Sequence, residues 1–137
     1  MKKIFATNYS AAGINLITLV LRVVFGLLMI VGHGYPKLQN FDTIETKFMS
    51  FMGLGPSLSL SLAIFAEFFC SLALILGLFT RLALIPLLIT ALVIVFMANG
   101  GDVFGKAETG FLYLTAYLVL LITGPGKYSV DAMIGRK

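Results

Sequence analysis

LSLSLAIFAEFFCSLALILGLF, from Leu58 to Phe79, runs for 22 residues and contains one charged side chain, Glu67. A helix needs about 20 apolar residues to cross roughly 30 Å of hydrocarbon. This stretch therefore reads as a transmembrane helix with a carboxylate inside it. The run from Ile14 to Gly32 repeats the pattern, with Arg22 as its one charge. A charge at bilayer depth costs from a few to roughly ten kcal/mol. Two such charges in two apolar runs imply a membrane protein with a polar centre.

Two further apolar runs follow, and the fold expectation is an all-α bundle of four transmembrane helices. The spans are about 13–34, 58–79, 82–98 and 108–123, in a single integral membrane domain covering residues 1–137. Spans two and three are joined by little more than Thr80-Arg81, so they are antiparallel neighbours. Pro36, helped by Gly32 and Gly34, is expected to end the first helix. Phe41, Ile44, Phe48, Phe51 and Met52 then recur at three- and four-residue steps. This spacing predicts a short amphipathic helix lying in the interface between spans one and two. Asp42 and Glu45 resemble a capping box at its start. Asn99-Gly100-Gly101-Asp102 reads as a turn.

The whole composition agrees with a lipid environment. The chain is 59% hydrophobic and 12% charged, against roughly 25% charged residues in soluble domains. The net charge is +4 and the pI about 9.4. The basic residues sit mostly at segment ends, where they act as topology signals, so nucleic acid is not expected as a partner. One side carries Lys2, Lys3, Arg81, Lys127, Arg136 and Lys137, and the other carries Lys37, Lys47 and Lys106. Both termini are therefore expected to be cytoplasmic. Lys2 and Lys3 ahead of an apolar stretch resemble a signal peptide, but the run from Ile14 is too long and Arg22 interrupts it. It is taken as an uncleaved first span. Cys70 is the one cysteine, so a disulfide within the chain and a two-cysteine relay are excluded.

Depth arithmetic pairs the two intramembrane charges. At 1.5 Å per residue, Arg22 lies roughly 13 Å from the inner edge of span one and Glu67 roughly 18 Å from the inner edge of span two. An Arg22–Glu67 pair is expected, either as an orienting strut or as a group that polarises a ligand. His33 lies on the Arg22 face of the first helix, three turns on, with Gly26 and Met29 between. His33, Lys37 and Glu108 are expected to form a second polar cluster at the outer level, or to snorkel to the interface. Tyr113 and Tyr117 share one face of span four. With Gly26, which admits close approach, they are candidates to line a pocket for a quinone ring or lipid tail. A metal site has no support, because His33 is the only histidine, and haem is disfavoured for the same reason. Asp131 is expected to cap a helix or pair with Arg81, locking the tail to the second hairpin.

Several pieces together resemble the DoxX family. They are Leu21-Arg22-Val23-Val24-Phe25-Gly26, then His33-Gly34-Tyr35-Pro36-Lys37, then Ala66-Glu67 leading into Leu74 to Ala83. Gly124-Pro125-Gly126-Lys127-Tyr128-Ser129-Val130-Asp131 completes the set. The resemblance covers about Leu16 to Ala132. It implies a four-helix protein of the bacterial cytoplasmic (inner) membrane, linked to oxidoreductase systems and to quinone. It points to Arg22, His33, Lys37, Glu67, Arg81 and Asp131. The functional expectation is a membrane subunit of an oxidoreductase system, binding a quinone-like or other lipophilic ligand at a buried Arg/Glu/Tyr site and acting with a redox partner protein. The alternative is a non-enzymatic scaffold, assembly partner or lipid-binding module, with a structural ion pair. A homo-oligomer is compatible with either.

Overall fold

A computed structural model describes residues 2–135, and every regular element among them is helical. Arg136 and Lys137, counted above for orientation, lie outside the described residues. We label the helices α1 (Ala11–Gln39), α2 (Phe41–Ile44), α3 (Pro56–Leu76), α4 (Thr80–Ala98), α5 (Glu108–Thr123) and α6 (Val130–Ile134). A short 3-10 turn, Lys2–Phe5, precedes them. Three of the helices, α1, α3 and α4, are long and apolar enough to cross a membrane. α5 is apolar but shorter, 16 residues or roughly 24 Å.

α1 starts where Ser10 accepts a hydrogen bond from the Gly13 amide as its N-cap, two residues before the expected start at Gly13. It does not stop at Pro36, contrary to expectation. A π-helical turn over Ile30–Gly34 precedes the proline, and the Tyr35 amide bonds five residues back to Ile30. Proline clashes with the carbonyl four residues earlier in a regular α-helix. The wider π turn takes up that strain, and the helix continues to Gln39. Two more π turns occur, Phe65–Cys70 in α3 and Val93–Ala98 in α4.

The expected interfacial helix shrinks to one turn, Phe41–Ile44. Its N-cap residue, Asn40, makes no side-chain cap bond, and Asp42 sits inside the turn, not at its cap. A short isolated helix is marginal in water. The chain instead folds back over α3, with the Phe51 amide bonded to the Ser59 hydroxyl at 2.8 Å and the Gly55 amide to the Ser50 hydroxyl at 3.0 Å.

The core is one cluster around Met29, Cys70, Leu74, Leu84, Leu87 and Leu120, so it takes residues from all four long helices. α3 and α4 are joined by the tight turn Gly77-Leu78-Phe79, in which Gly77 and Phe79 have positive φ. Gly124, also at positive φ, ends α5. The outward faces stay apolar: Leu27, Leu72, Leu82 and Ile122 are exposed. A soluble surface of this kind would aggregate, whereas lipid solvates it.

Candidate functional site

Glu67 is held in the π turn of α3, with its side chain 1% exposed. Its partner is Lys37, whose ammonium lies 2.7 Å from both carboxylate oxygens. Arg22 is not involved, which corrects the expected pair. The reason is backbone register. Gly34 lies so close to α3 that a Cβ there would be 2.8 Å from the Glu67 carbonyl carbon. Gly26 meets Ile75 and Ser71 in the same way. Glu67 is thus level with Gly34, twelve residues or roughly 18 Å from Arg22. Lys37, one turn past Gly34, reaches it because α1 continues through Pro36.

The Lys37–Glu67 pair forms one wall of a cavity of about 390 Å³. The rest of the wall is almost entirely apolar. α3 supplies Leu62, Ala63, Phe65 and Ala66, and α4 supplies Pro86, Ile89, Val93 and Ile94. The α2–α3 connection adds Phe48, Met49 and Phe51, and Ser59 and Thr90 add hydroxyl groups. The volume falls in the range of roughly 300–1,000 Å³ typical of small-molecule sites, which combine apolar walls with a few polar groups. An ammonium has three donors. Two serve Glu67, which leaves one for a ligand.

The expected pocket residues lie elsewhere. Neither Tyr113, Tyr117 nor Gly26 lines this cavity. Gly26 is a helix contact. Tyr113 sits edge-on to Phe25, with ring centres 5.6 Å apart, and edge-on to His33 at 5.7 Å. Tyr117 follows at 6.0 Å from Tyr113. The four rings form one aromatic cluster joining α1 to α5. The Tyr117 hydroxyl is fully buried and has no hydrogen-bond partner among the described residues, so neither Arg22 nor Glu67 serves it. The outer cluster is also redrawn: Lys37 pairs with Glu67, and Glu108 is exposed, with no ion pair among the described residues.

Arg22 does something different. It is 0% exposed, and its guanidinium donates to the carbonyls of Tyr128 and Ile75. The segment Gly126 to Asp131 wraps around it. The Lys127 amide bonds to Asn15 Oδ1 at 2.9 Å, Gly126 packs on Thr18, and Ser129 packs on Gly77. The Asp131 amide bonds to the Gly77 carbonyl at 2.8 Å. Its carboxylate accepts from the Phe79 and Thr80 amides, each at 2.8 Å, and so caps α4. Asp131 does not pair with Arg81, whose guanidinium donates to the Leu121 carbonyl at 3.3 Å. Desolvation raises the Asp131 carboxyl, but the hydrogen bonds from Thr80 and Phe79 and the Arg22 charge outweigh it and hold it below the ordinary carboxylate range.

Sequence reasoning missed the cavity-forming residues Phe48, Phe51, Phe65, Pro86 and Val93. Their signal was faint: a π turn has no sequence signature here, and an apolar residue facing a cavity looks like one facing lipid. No group of three or more metal-binding side chains occurs among the described residues. A family model described as DoxX matches residues 17–100, more than half of the chain and including Arg22, His33, Lys37 and Glu67. No curated protein and no solved structure matches the chain.

Proposed function

The chain belongs to the DoxX family of multi-pass membrane proteins, and from that premise we propose that it is the membrane subunit of an oxidoreductase system and binds a quinone-like ligand in the Lys37–Glu67 cavity. The observation that carries this reading is a fully desolvated carboxylate and its lysine partner facing an otherwise apolar chamber. Burying such a pair costs desolvation energy that its attraction does not reliably return. Intramembrane ionisable residues are therefore a functional-site hypothesis by default.

The residues fit a carbonyl-bearing ring. The free N–H of Lys37 points its positive charge at a carbonyl oxygen. Glu67 holds that ammonium in place, and it offers a carboxylate as a candidate proton acceptor. Phe48, Phe51 and Phe65 give the ring aromatic faces and exclude water. A bound quinone would supply the acceptor for two electrons and two protons, with the electrons coming from a redox partner protein. Arg22, placed in the ligand site by the sequence reading, is assigned to architecture instead.

We further propose four membrane crossings, α1, α3, α4 and α5, in the bacterial inner membrane, with both termini cytoplasmic. The tail after α5 is bonded to the first turns of α1, so the two ends of the chain share one face, which favours an even number of crossings. A non-enzymatic scaffold is the rival reading, favoured by the Arg22 lock, which ties the tail after α5 to α1 and α3.

The test is solvent extraction and mass spectrometry of protein purified in mild detergent. A quinone near one equivalent, absent from Lys37→Met and Glu67→Gln, is the expected result. Phospholipid alone in the wild type, with no binding of an added decyl-tailed benzoquinone, overturns the reading in favour of the scaffold.

A further inference from the structure

We propose that the Lys37–Glu67 cavity is entered from the side, between α3 and α4, by a molecule dissolved in the bilayer whose apolar tail remains in the lipid while its hydrogen-bond-accepting head reaches the ion pair. This rests on the ligand-binding reading above and adds to it the entry route, the ligand's overall shape and the residues that select it.

The mouth is visible in the walls. Leu62, Phe65 and Ile89 line the cavity and yet are 45%, 52% and 47% exposed. A residue that does both stands at an opening, and these three lie on helices whose outward faces are apolar. The opening therefore faces acyl chains. Phe48, Met49 and Phe51, half-buried, line the cavity from the α2–α3 connection, which the Phe51–Ser59 hydrogen bond at 2.8 Å fastens to α3. A polar solute arriving from water meets phenylalanine and methionine there, while a lipid-soluble one meets an open slot.

Backbone features explain why the slot is there. α3 and α4 are pinned together at the Gly77–Phe79 turn, where the Asp131 carboxylate holds the Phe79 and Thr80 amides. The cavity lies toward their other ends, from Glu67 back to Ser59 and from Pro86 on to Ala98. Pro86 removes one helical hydrogen bond from α4, and the π turn Val93–Ala98 changes its register again. Both features line the cavity. The two helices thus diverge away from the turn, and the ligand occupies the half of the bilayer opposite the C-terminal tail.

Selectivity follows from this shape. The head must fit about 390 Å³ and accept a hydrogen bond from Lys37. The tail leaves between Leu62, Phe65 and Ile89, so the protein sets no upper limit on tail length. Quinones and single-tailed carbonyl lipids both satisfy these demands, and the competition arm below separates them.

The experiment measures binding of a tritiated decyl-tailed benzoquinone to the full chain in phosphatidylcholine nanodiscs. Leu62→Trp and Ile89→Trp narrow the mouth without entering the core. Association and dissociation should both slow by about tenfold, because a gate acts on entry and exit alike. A competing isoprenoid quinone with a much longer tail should displace the probe at an equal mole fraction in lipid, and a fatty-acid methyl ester should not. Displacement by the ester alone would assign the site to an acyl lipid while keeping the lateral route. Unchanged rates in both variants overturn the lateral route and leave the ligand reading intact. Failure of the wild type to bind the probe removes both.

A second measurement avoids dependence on the narrowed variants. The chain has no tryptophan, so Phe65→Trp introduces a single indole at the mouth. Phosphatidylcholine brominated on its acyl chains should quench that indole strongly, and a water-soluble quencher should not. The reverse pattern would show that the slot faces water and overturn the proposal.

Discussion

Lys37 and Glu67 are unequal partners, and their inequality makes a testable prediction. Lys37 is 22% exposed and its long stem can swing the charge toward the interface, whereas Glu67 is 1% exposed and cannot escape. Lys37→Met strands a carboxylate in an apolar wall, so a stability loss of about 3 kcal/mol is expected. Glu67→Gln leaves an ammonium that can reach water and should cost less than half as much. The double variant should regain most of the stability lost by Lys37→Met, because it buries no charge. It should still not bind the decyl-tailed benzoquinone. Thermal unfolding in detergent beside a binding assay separates the two effects. Recovery of binding in the double variant would show that the pair is only a strut. The functional weight of Glu67 was legible from its position in an apolar run. Its partner was misassigned because the inner ends of spans one and two were placed in one plane. In the folded chain Gly77 packs against Arg22, so the α3–α4 turn stops short of the start of α1 by eleven residues, from Ala11 to Arg22.

Helices in this bundle are positioned by backbone contacts at single glycines and by one borrowed cap. Gly34→Ala places a methyl group 2.8 Å from the backbone of Glu67, which cannot move aside, so α1 and α3 must separate. Gly26→Ala meets chiefly the Ile75 side chain, with Cγ1 at 2.5 Å, and touches the Ser71 carbonyl oxygen only at 3.3 Å, so a rotamer change of Ile75 relieves most of the clash while the backbones stay in place. The expected order is a loss of about 1–3 kcal/mol for Gly34→Ala and a smaller one for Gly26→Ala. Gly34→Ala should also weaken quinone binding, because it draws Lys37 from Glu67; equal effects of the two variants on unfolding and binding would refute this. The cap on α4 predicts a pH effect. Asp131 has its carboxyl below the ordinary range when folded. Its contribution is therefore complete above the unfolded value near ~3.9 and is lost as pH falls through the lower folded value. Asp131→Asn leaves one acceptor oxygen for two amides, so it should lower stability by about 1 kcal/mol at neutral pH and flatten the acid limb of the stability curve; an unchanged limb would remove Asp131 as its source. Helix locations were readable from apolar runs, whereas the Ser10 cap that starts α1 was not read, and the first span was begun at Gly13. The π turns were not readable, since Ile30–Gly34 and Phe65–Cys70 contain ordinary helix residues. The break expected at Pro36 failed for the same reason: the π turn before it removes the clash that would have ended the helix.

Taken whole, the molecule has two ends with different jobs. At one end, Arg22, Gly77, Phe79 and the segment Gly126 to Asp131 are knitted by backbone hydrogen bonds into a closed face. At the other, α1, α3 and α4 each carry a π turn, and the Lys37–Glu67 cavity lies among them. This polarity gives the proposed topology its sharpest test. The stitched end carries Arg81 and Lys127 and should be cytoplasmic, because basic residues are retained on that side. The cavity end, with Lys47 and Lys106, should face outward. Lys106 and Lys127 are exposed, lie outside the long helices and flank α5. Single cysteines at these two positions, in a Cys70→Ser background, therefore report whether α5 crosses the bilayer at all. A membrane-impermeant maleimide applied to intact spheroplasts should label Lys106→Cys and should label Lys127→Cys only after permeabilisation. Labelling of both from outside would mean that α5, roughly 24 Å long, lies along the surface and that the chain crosses three times. Labelling of Lys127→Cys alone would invert the protein. The cavity would then open into the cytoplasmic half of the membrane, and its protons would be exchanged with the other compartment.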